Sequence, residues 1–513
     1  MMAREVTFNS KKRSSNMVRI SVSSALFSIL NIIVAFGYRT IFISILTKEY
    51  LGIEGLFTNV LQVLSLAELG MGTIIAYRLY EPIKNSNINH VSKLMYFYKS
   101  VYHVIAICVL GLGLIILPLL KILIKDSNEI PTDVNIYVVY ILFLIQSVSS
   151  YFFTYKQTLL VADQRGDQIS LFNFTKGLAK LGIQILVLLK TKNYTLTLFS
   201  GIVVNILINY FFSIYITNLY RIIFDSKESI DTDEKKAIYK EMRAMLVHRL
   251  GGTVKCSTDN IILSAFVGLG QLGIYANYSM ITDNMIKIVN QLMGNFTASI
   301  GNAYISMKKK EFYIFFKRLL AINFIIANIT TVSLYALINS FVKCWQGEDM
   351  VFQMDVVVII ILCYFTTVSR IILQSFTNAC GLFKKDVTRP LYEVIINLSI
   401  SIYFTIKIGI IGVFLGTFLS YLFTVCWREP YLLYKYVFKN SVRDYWKKYI
   451  INFAYIVMQC WAISKFIDLN LNNLGMWIIY ALIISIIILL VNLSFYAKDV
   501  VWFIKHVCKN NKK

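Results

Sequence analysis

Long apolar segments separated by short polar connections extend along almost the whole chain. A helix needs about 20 mostly apolar residues to cross the roughly 30 Å hydrocarbon core of a bilayer, and Met476 to Leu493 is one such stretch. Comparable stretches predict about fourteen membrane-spanning helices, placed near 17–46, 52–79, 92–122, 133–161, 167–189, 194–219, 244–267, 271–304, 311–341, 353–381, 388–407, 409–438, 446–466 and 472–500. We therefore expect an all-α integral membrane protein.

Composition supports this class. Of the 513 residues, 57% are hydrophobic and only 15% are charged, a balance that a soluble domain of this size does not need. The net charge is +23, but the basic residues lie between apolar segments rather than in one stripe, so no nucleic-acid partner is expected. The eight cysteines show no CxxC or metal-ligand spacing, and we expect no metal site and no cofactor.

The charges of the connections predict the orientation in the membrane. Lys and Arg concentrate in connections on one side, among them 78–93, 220–243, 308–310, 384–385 and 439–448. The positive-inside rule assigns that side to the cytoplasm. Both termini are then cytoplasmic, which agrees with an even number of spans.

Two halves with parallel topology are indicated by a weak internal repeat. Residues 39–44 match 259–264, and 51–53 match 272–274; chance coincidence of short apolar strings is the alternative. Parallel repeats usually enclose a central path. The predicted organisation is an N-terminal six-helix lobe (1–219), a cytoplasmic linker (220–243), a C-terminal six-helix lobe (244–438) and two further helices with a basic tail (439–513). Because the prolines all lie near span ends, mostly unbroken helices are expected.

Several strings resemble a known family of transporters. They are Tyr50-Leu-Gly-Ile-Glu-Gly-Leu-Phe57, Leu64-Ser-Leu-Ala-Glu-Leu-Gly-Met-Gly-Thr73, Leu79-Tyr-Glu-Pro82, Thr258-Asp-Asn-Ile-Ile-Leu-Ser264, Arg389-Pro390, Glu393, Asn397, Gly409-Ile-Ile-Gly412 and Gly416-Thr417. With them the sequence resembles the oligosaccharide flippases of the multidrug/oligosaccharidyl-lipid/polysaccharide exporter (MOP) superfamily. The Leu-Ala-Glu-Leu-Gly string is fairly specific, whereas glycines spaced as at 409–417 also serve plain helix packing.

The resemblance implies both architecture and function. It implies two six-helix lobes around a central cavity that opens alternately to either side, plus two C-terminal helices, in the bacterial cytoplasmic (inner) membrane. The implied substrate is an undecaprenyl-diphosphate-linked oligosaccharide, flipped to the outer leaflet for O-antigen, capsule or another surface glycan. Membrane lipids, glycosyltransferases and a glycan polymerase are the expected partners.

Charged residues inside the predicted spans are the candidate site. A charge at the bilayer centre costs about 2.5–3.5 kcal/mol, so such a residue should face protein or water. The candidates for binding a diphosphate are Arg39, Lys156, Lys180, Lys255, Lys287 and Arg370, and those for ion coupling or charge pairing are Glu68, Asp259 and Asp283. The basic excess suits a diphosphate, which Arg meets with a planar fork and Lys with a compact charge.

Each candidate also has a structural interpretation. Lys255 with Asp259, and Asp283 with Lys287, are i,i+4 pairs that could neutralise each other. Glu68 could serve packing or bond to the backbone, and Lys156 and Lys180 could snorkel to the cytoplasmic surface.

The two arginines have no acidic neighbour one helical turn away. Arg39 and Arg370 are therefore the strongest candidates for contacting the diphosphate, with pairing between helices as the alternative.

Other functions fit less well. A drug or cation antiporter should carry acidic ligands without a basic excess, whereas a lipid II flippase is closer in chemistry. A membrane-embedded polymerase or glycosyltransferase should show a sizeable outside loop or an acidic metal motif. The single DxD, Asp231-Thr-Asp233, lies beside Lys235 and Lys236, which indicates a solvated charge run. We expect a transporter without catalytic residues.

Overall fold

The computed structural model describes residues 13–65, 71–225, 228–294, 296–386, 388–466 and 473–497, without the side chains of 13–25, 244–256, 298, 383–384 and 466. This part of the chain is helical and contains no strand. The predicted all-α membrane class is thereby confirmed.

The chain folds as two compact units, Met1–Gly270 and Gln271–Lys513. The helices of the first unit are α1 (Arg13–Ile45), α2 (Lys48–Leu64), α3 (Met71–Lys84), α4 (Ile88–Ile116), α5 (Ile136–Thr154), α6 (Gln157–Ala162), α7 (Gly166–Thr191), α8 (Tyr194–Leu219), α9 (Arg221–Asp225) and α10 (Thr232–Ile262). Helix α7 lies between α1 and α8, and α2 packs against α10.

The two units divide at residue 270, after the predicted seventh span (244–267), whereas the sequence placed the start of the second lobe before that span. Helix α10 packs against α2, and the Leu269 carbonyl beyond α10 lies so close to Gly52 on α2 that an added Cβ would overlap it. These contacts explain why the chain belongs to the first unit as far as residue 270. The lobe boundaries predicted from the sequence stay a prediction.

The second unit contains α11 (Leu269–Gly294, which begins two residues before the division), α12 (Phe296–Ser306), α13 (Lys309–Gln346), α14 (Met354–Ser369), α15 (Ile371–Ala379), α16 (Arg389–Ile408), α17 (Ile410–Phe423), α18 (Val425–Leu432), α19 (Arg443–Phe466) and α20 (Leu474–Phe495). Helix α13 packs against α14, α19 and α20, and α16 packs along α17.

Ten helical stretches of the described residues are long and apolar enough to cross a membrane: Leu26–Ile45, Ile88–Leu119, Ile136–Thr154, Gly166–Thr191, Tyr194–Leu219, Lys309–Gln346, Met354–Ala379, Arg389–Ile408, Ile410–Phe438 and Leu474–Phe495. The other four predicted spans coincide with α2–α3, α10, α11–α12 and α19. These helices are shorter or less apolar.

The predicted span 353–381 is an exception to the mostly unbroken helices that the proline positions predict. Arg370 ends α14 and precedes α15, with φ −96° and ψ −5°, although no proline is present there. The amide of Asn323, a fully buried residue on α13, donates to the carbonyls of Val368 and Ser369 at 3.2 and 2.8 Å. Because a neighbouring helix satisfies these freed carbonyls, the break is tolerated at membrane depth.

Close packing explains the glycine spacing of 409–417. A Cβ added to Gly416 would overlap Ser401 on α16, and one added to Gly412 would overlap the backbone next to Thr405. Asn397 donates to Thr417 Oγ1 across the same contact at 2.9 Å. These family-like residues therefore hold α16 against α17.

The connection after α8 is fastened to the first unit by ion pairs. Arg78 on α3 contacts Glu241 at 2.8 Å and Glu234 at 3.6 Å, and Lys93 on α4 contacts Glu228 at 3.1 Å. Each pair is partly exposed and should contribute less than about 1 kcal/mol. The segment is thus a short helical tether, too small to be a separate domain.

Candidate functional site

Helices α1 and α7 hold the two cations Arg39 and Lys180 in a fixed register. Phe27 stacks on Phe174 with ring centroids 5.3 Å apart, and an added Cβ on Gly177 would lie 2.9 Å from Asn31 Oδ1. The later residue of α1 (Asn31) contacts the later residue of α7 (Gly177), so the two helices run parallel. The missing side chain of Gly177 permits this close approach.

Arg39 and Lys180 are placed by this register. Arg39 lies about 8 Å further along the helix pair than Lys180, at about 1.5 Å of rise per residue. Both side chains are half-buried. The Arg39 Nη1 atom is buried and has no hydrogen-bond partner among the described residues. Such a nitrogen is a donor still available to a ligand.

Lys180 lies deep in its helix. It is about 21 Å along the axis from Gly166, where α7 begins. Lys180 therefore lies near the middle of α7, and its role in substrate binding stays a prediction.

Lys176 adds a third cation one turn before Lys180. Its Nζ lies 3.4 Å from Asn209 Oδ1 on α8 and 5.2 Å from the centroid of the Phe172 ring. Lys176 and Lys180 repel each other electrostatically. Because residues four apart share a helix face, both charges lie on one side of α7.

Glu54 on α2 is close enough to Lys180 for its carboxylate to act on the lysine electrostatically, although the two form no direct ion pair. It also interacts with the hydroxyls of Tyr38 and Tyr194, and its side chain is half-buried. We refer to Arg39, Glu54, Lys176 and Lys180 as the α1–α2–α7 cluster. The cluster has three cations and one carboxylate, so it carries a net positive charge.

A net-positive cluster among apolar helices can attract and orient an anion. Arginine offers a fork that matches two oxygens of a phosphate, and lysine offers a compact point charge. Among the described residues, no group of three His, Cys, Asp or Glu side chains could hold a metal ion. The chemistry that this arrangement supports is anion binding.

Lys156 lies between α5 and α6 and contacts α8. Its Nζ donates to Thr217 Oγ1 at 2.7 Å and lies 3.4 Å from the Ser213 carbonyl, with the Phe224 ring 5.3 Å away. Thr217 is two residues from the end of α8, which fits the shallow position that the sequence left open for Lys156. Its role in substrate binding stays a prediction.

Arg370 is paired with a carboxylate from another helix. Its Nη2 lies 2.5 Å from Glu429 Oε1 and its Nε 3.2 Å from Oε2, while the two side chains are 17% and 4% exposed. The structure thus contains the interhelical pairing that the sequence left as the alternative for Arg370. Contact between Arg370 and a diphosphate stays a prediction.

Further ion pairs surround this contact. Arg389 lies 2.5 Å from Asp386 and 2.7 Å from Glu393, and Arg428 lies 3.4 Å from Asp386. The three carboxylates of this region are all buried. Buried charges persist only where they are paired, so this network ties α14, α16 and α18 together.

Of the remaining predicted residues, three have side chains that the structure describes. Asp259 is buried on α10, whereas Asp283 and Lys287 are exposed one turn apart on α11 and interact electrostatically. Glu68 and the side chain of Lys255 lie outside the described residues. The binding and coupling roles assigned to these five residues stay predictions.

Sequence reasoning missed Glu54, Lys176 and Glu429. Lys176 could have been found, because it precedes Lys180 by four residues within an apolar helix. Glu54 lies inside a family-like string but was not counted as a charge at depth. Glu429 carried no signal, since its partner Arg370 is 59 residues away.

Comparison with solved structures identifies the fold. The sequence matches no protein-family model and no curated protein. The lipid II flippase MurJ in an inward closed conformation is similar with a TM-score of 0.67 and 13% identity, over 94% of this chain and 100% of that one. An inward-facing MATE multidrug resistance transporter of the MOP superfamily is similar with a TM-score of 0.60 and 13% identity, over 87% and 100%.

A third similar structure is a MOP superfamily transporter from Pyrococcus furiosus, described as having a binding pocket of reverse polarity. Its TM-score is 0.56 at 12% identity, over 83% of this chain and 96% of that one. Identities this low establish the fold alone. The chain is therefore a multi-pass, all-α membrane protein with the fold of MOP-superfamily transporters.

Proposed function

We propose that this protein is a flippase that moves an undecaprenyl-diphosphate-linked oligosaccharide from the cytoplasmic to the outer leaflet of the bacterial inner membrane, for O-antigen or capsule synthesis. The observation that carries the proposal is the α1–α2–α7 cluster, which places three cations and one carboxylate within a transporter fold. Glycosyltransferases would supply the loaded lipid, and a polymerase would consume it.

The cluster suggests how the diphosphate is held. Arg39 Nη1 has no hydrogen-bond partner among the described residues, so a phosphate oxygen can accept from it. Lys180 and Lys176 contribute charge from one face of α7. Glu54 reduces the repulsion between these cations before the substrate arrives. Rocking of the two halves would then expose the site to either side in turn.

A lipid II flippase is the second candidate. It is favoured by the structural similarity to MurJ, and a lipid-linked diphosphate would suit the same cluster. A drug or cation antiporter fits less well, because a net-positive cluster repels cations.

Removal of the protein from its host tests the proposal. The deletion should leave sugar-loaded carrier lipid on the cytoplasmic leaflet while carrier glycosylation continues. Complementation by the wild type and by Lys407→Gln, an exposed lysine remote in sequence from the cluster, should restore export, whereas Arg39→Ala should not. Loaded lipid that is never made would indicate an enzyme, and accumulation of lipid II would favour the second candidate.

A further inference from the structure

A second group of cations and aromatic rings lies where the span Ile410–Phe438 ends. It comprises Lys385, Trp427, Arg428, Tyr431, Lys435 and Tyr436, which we call the interfacial cluster. Trp427, Tyr431 and Lys435 are spaced by four residues and therefore lie along one face of α18 and its continuation. None of these residues belongs to the α1–α2–α7 cluster.

The rings and the cations contact one another directly. The Lys385 Nζ lies 3.4 Å from the centroid of the Tyr436 ring. Lys435 donates to the Tyr431 hydroxyl at 2.7 Å and lies 5.5 Å from the Tyr436 centroid. These contacts hold two exposed ammonium groups beside the Tyr436 ring.

Arg428 is the third cation of the cluster, and a buried carboxylate fixes its position. Its guanidinium lies 5.8 Å from the Trp427 ring and 6.0 Å from the Tyr431 ring. Its Nε lies 3.4 Å from Asp386, a buried carboxylate that is shared with Arg389. The position of the guanidinium is thus set by the ion-pair network of the unit.

Two buried carboxylates near the interfacial cluster already have partners. Asp386 pairs with two arginines, and Glu429 pairs with Arg370. Within the described chain, neither Lys385 nor Lys435 forms an ion pair with a carboxylate. The outward face of the cluster consequently carries a net positive charge.

The adjoining surface is apolar. Phe423 is 59% exposed and precedes Trp427 by one helical turn, and Leu422 is exposed beside it. Trp427 is itself 44% exposed, and its indole nitrogen donates to the Phe423 carbonyl at 2.7 Å. Exposed apolar residues followed by Trp, Tyr and Lys mark the boundary between acyl chains and headgroups.

We propose that the interfacial cluster binds the phosphate headgroup of an anionic phospholipid of the surrounding leaflet. Lys385, Arg428 and Lys435 contact the phosphate, and the aromatic rings flank the glycerol region. The acyl chains lie along the exposed surface at Phe423. Charge complementarity selects anionic over zwitterionic lipid, as basic pockets at membrane interfaces do. The proposal does not depend on what the protein transports.

Quenching of Trp427 by brominated lipid tests the site in the full-length protein in nanodiscs. The Trp427 signal is the difference between each protein and its Trp427→Phe counterpart. Brominated phosphatidylglycerol should quench this signal at a lower mole fraction than brominated phosphatidylcholine. Each lysine should contribute about fivefold to that preference, so Lys385→Gln with Lys435→Gln should remove most of it.

Matched variants separate the site from general charge effects. Lys407 also contacts a tyrosine ring, that of Tyr403, but it lies at the end of α16 remote from Asp386 and Arg389. Lys407→Gln should therefore leave the preference for anionic lipid unchanged. Lys385→Arg with Lys435→Arg should retain it. Equal quenching by the two lipids, an undiminished preference in the double glutamine variant, or its loss in Lys407→Gln would each overturn the proposal.

Discussion

Replacement of Arg370 by alanine should destabilise the protein strongly, because the change leaves a buried carboxylate without its partner. Glu429 is 4% exposed and accepts two hydrogen bonds from the guanidinium, at 2.5 and 3.2 Å. Removing one partner of a buried pair costs about 3–5 kcal/mol. In a unit of this size the melting temperature should fall by on the order of 10 °C.

Thermal unfolding of the purified protein in detergent, followed by the loss of monodisperse protein, measures this change. Arg370→Met combined with Glu429→Leu should melt near the wild type, since no charge remains buried. Arg428→Ala is the matched control. Its partner Asp386 keeps Arg389, and the fall should be smaller.

Two results would refute this reasoning. If the double variant melts at as low a temperature as Arg370→Ala, the unpaired Glu429 carboxylate is not the cause of the destabilisation. If Arg370→Ala melts like the wild type but abolishes export, Arg370 acts on the substrate, as the sequence alone suggested, and the ion pair contributes little.

Three further predictions concern the cluster, the packing and the orientation. Arg39→Ala should abolish export at an unchanged membrane level while Arg39→Lys keeps part of it, because charge survives without the fork; wild-type complementation by Arg39→Ala would contradict this. Gly52→Ala should cost about 1–3 kcal/mol through overlap with the Leu269 carbonyl, whereas Gly37→Ala, which meets open space, should not lower the melting temperature. Reporter fusions at Ser229 and at the C-terminus should signal from the cytoplasm, and a periplasmic signal from either would exclude the proposed topology.

The hydrophobic pattern predicted the helices because a segment that crosses lipid must form all of its backbone hydrogen bonds internally, which a helix does. The predicted spans 167–189 and 194–219 correspond to α7 and α8, which run from Gly166 to Thr191 and from Tyr194 to Leu219. Asn193 marks the boundary between them, since its side chain accepts from the Leu196 amide at 3.0 Å and caps α8. Local chemistry was sufficient for these elements.

Contacts between distant residues could not be predicted in the same way. The break at Arg370 depends on Asn323 from another helix, and the partner of Arg370 is Glu429. A search for acidic neighbours one turn away cannot detect a partner on another helix. Arg39 differs from Arg370. It has no acidic residue one helical turn away in sequence, and in the structure its Nη1 has no hydrogen-bond partner among the described residues.

Transbilayer movement of a labelled lipid by the purified protein tests the central claim most directly. Proteoliposomes containing a fluorescent undecaprenyl-diphosphate-linked oligosaccharide would be treated with dithionite, which bleaches only the outer leaflet. The wild type should make the inner pool accessible faster than protein-free vesicles do, and Arg39→Ala should return the rate to that background. A wild-type rate equal to that of protein-free vesicles, in preparations whose protein is folded, would contradict the account.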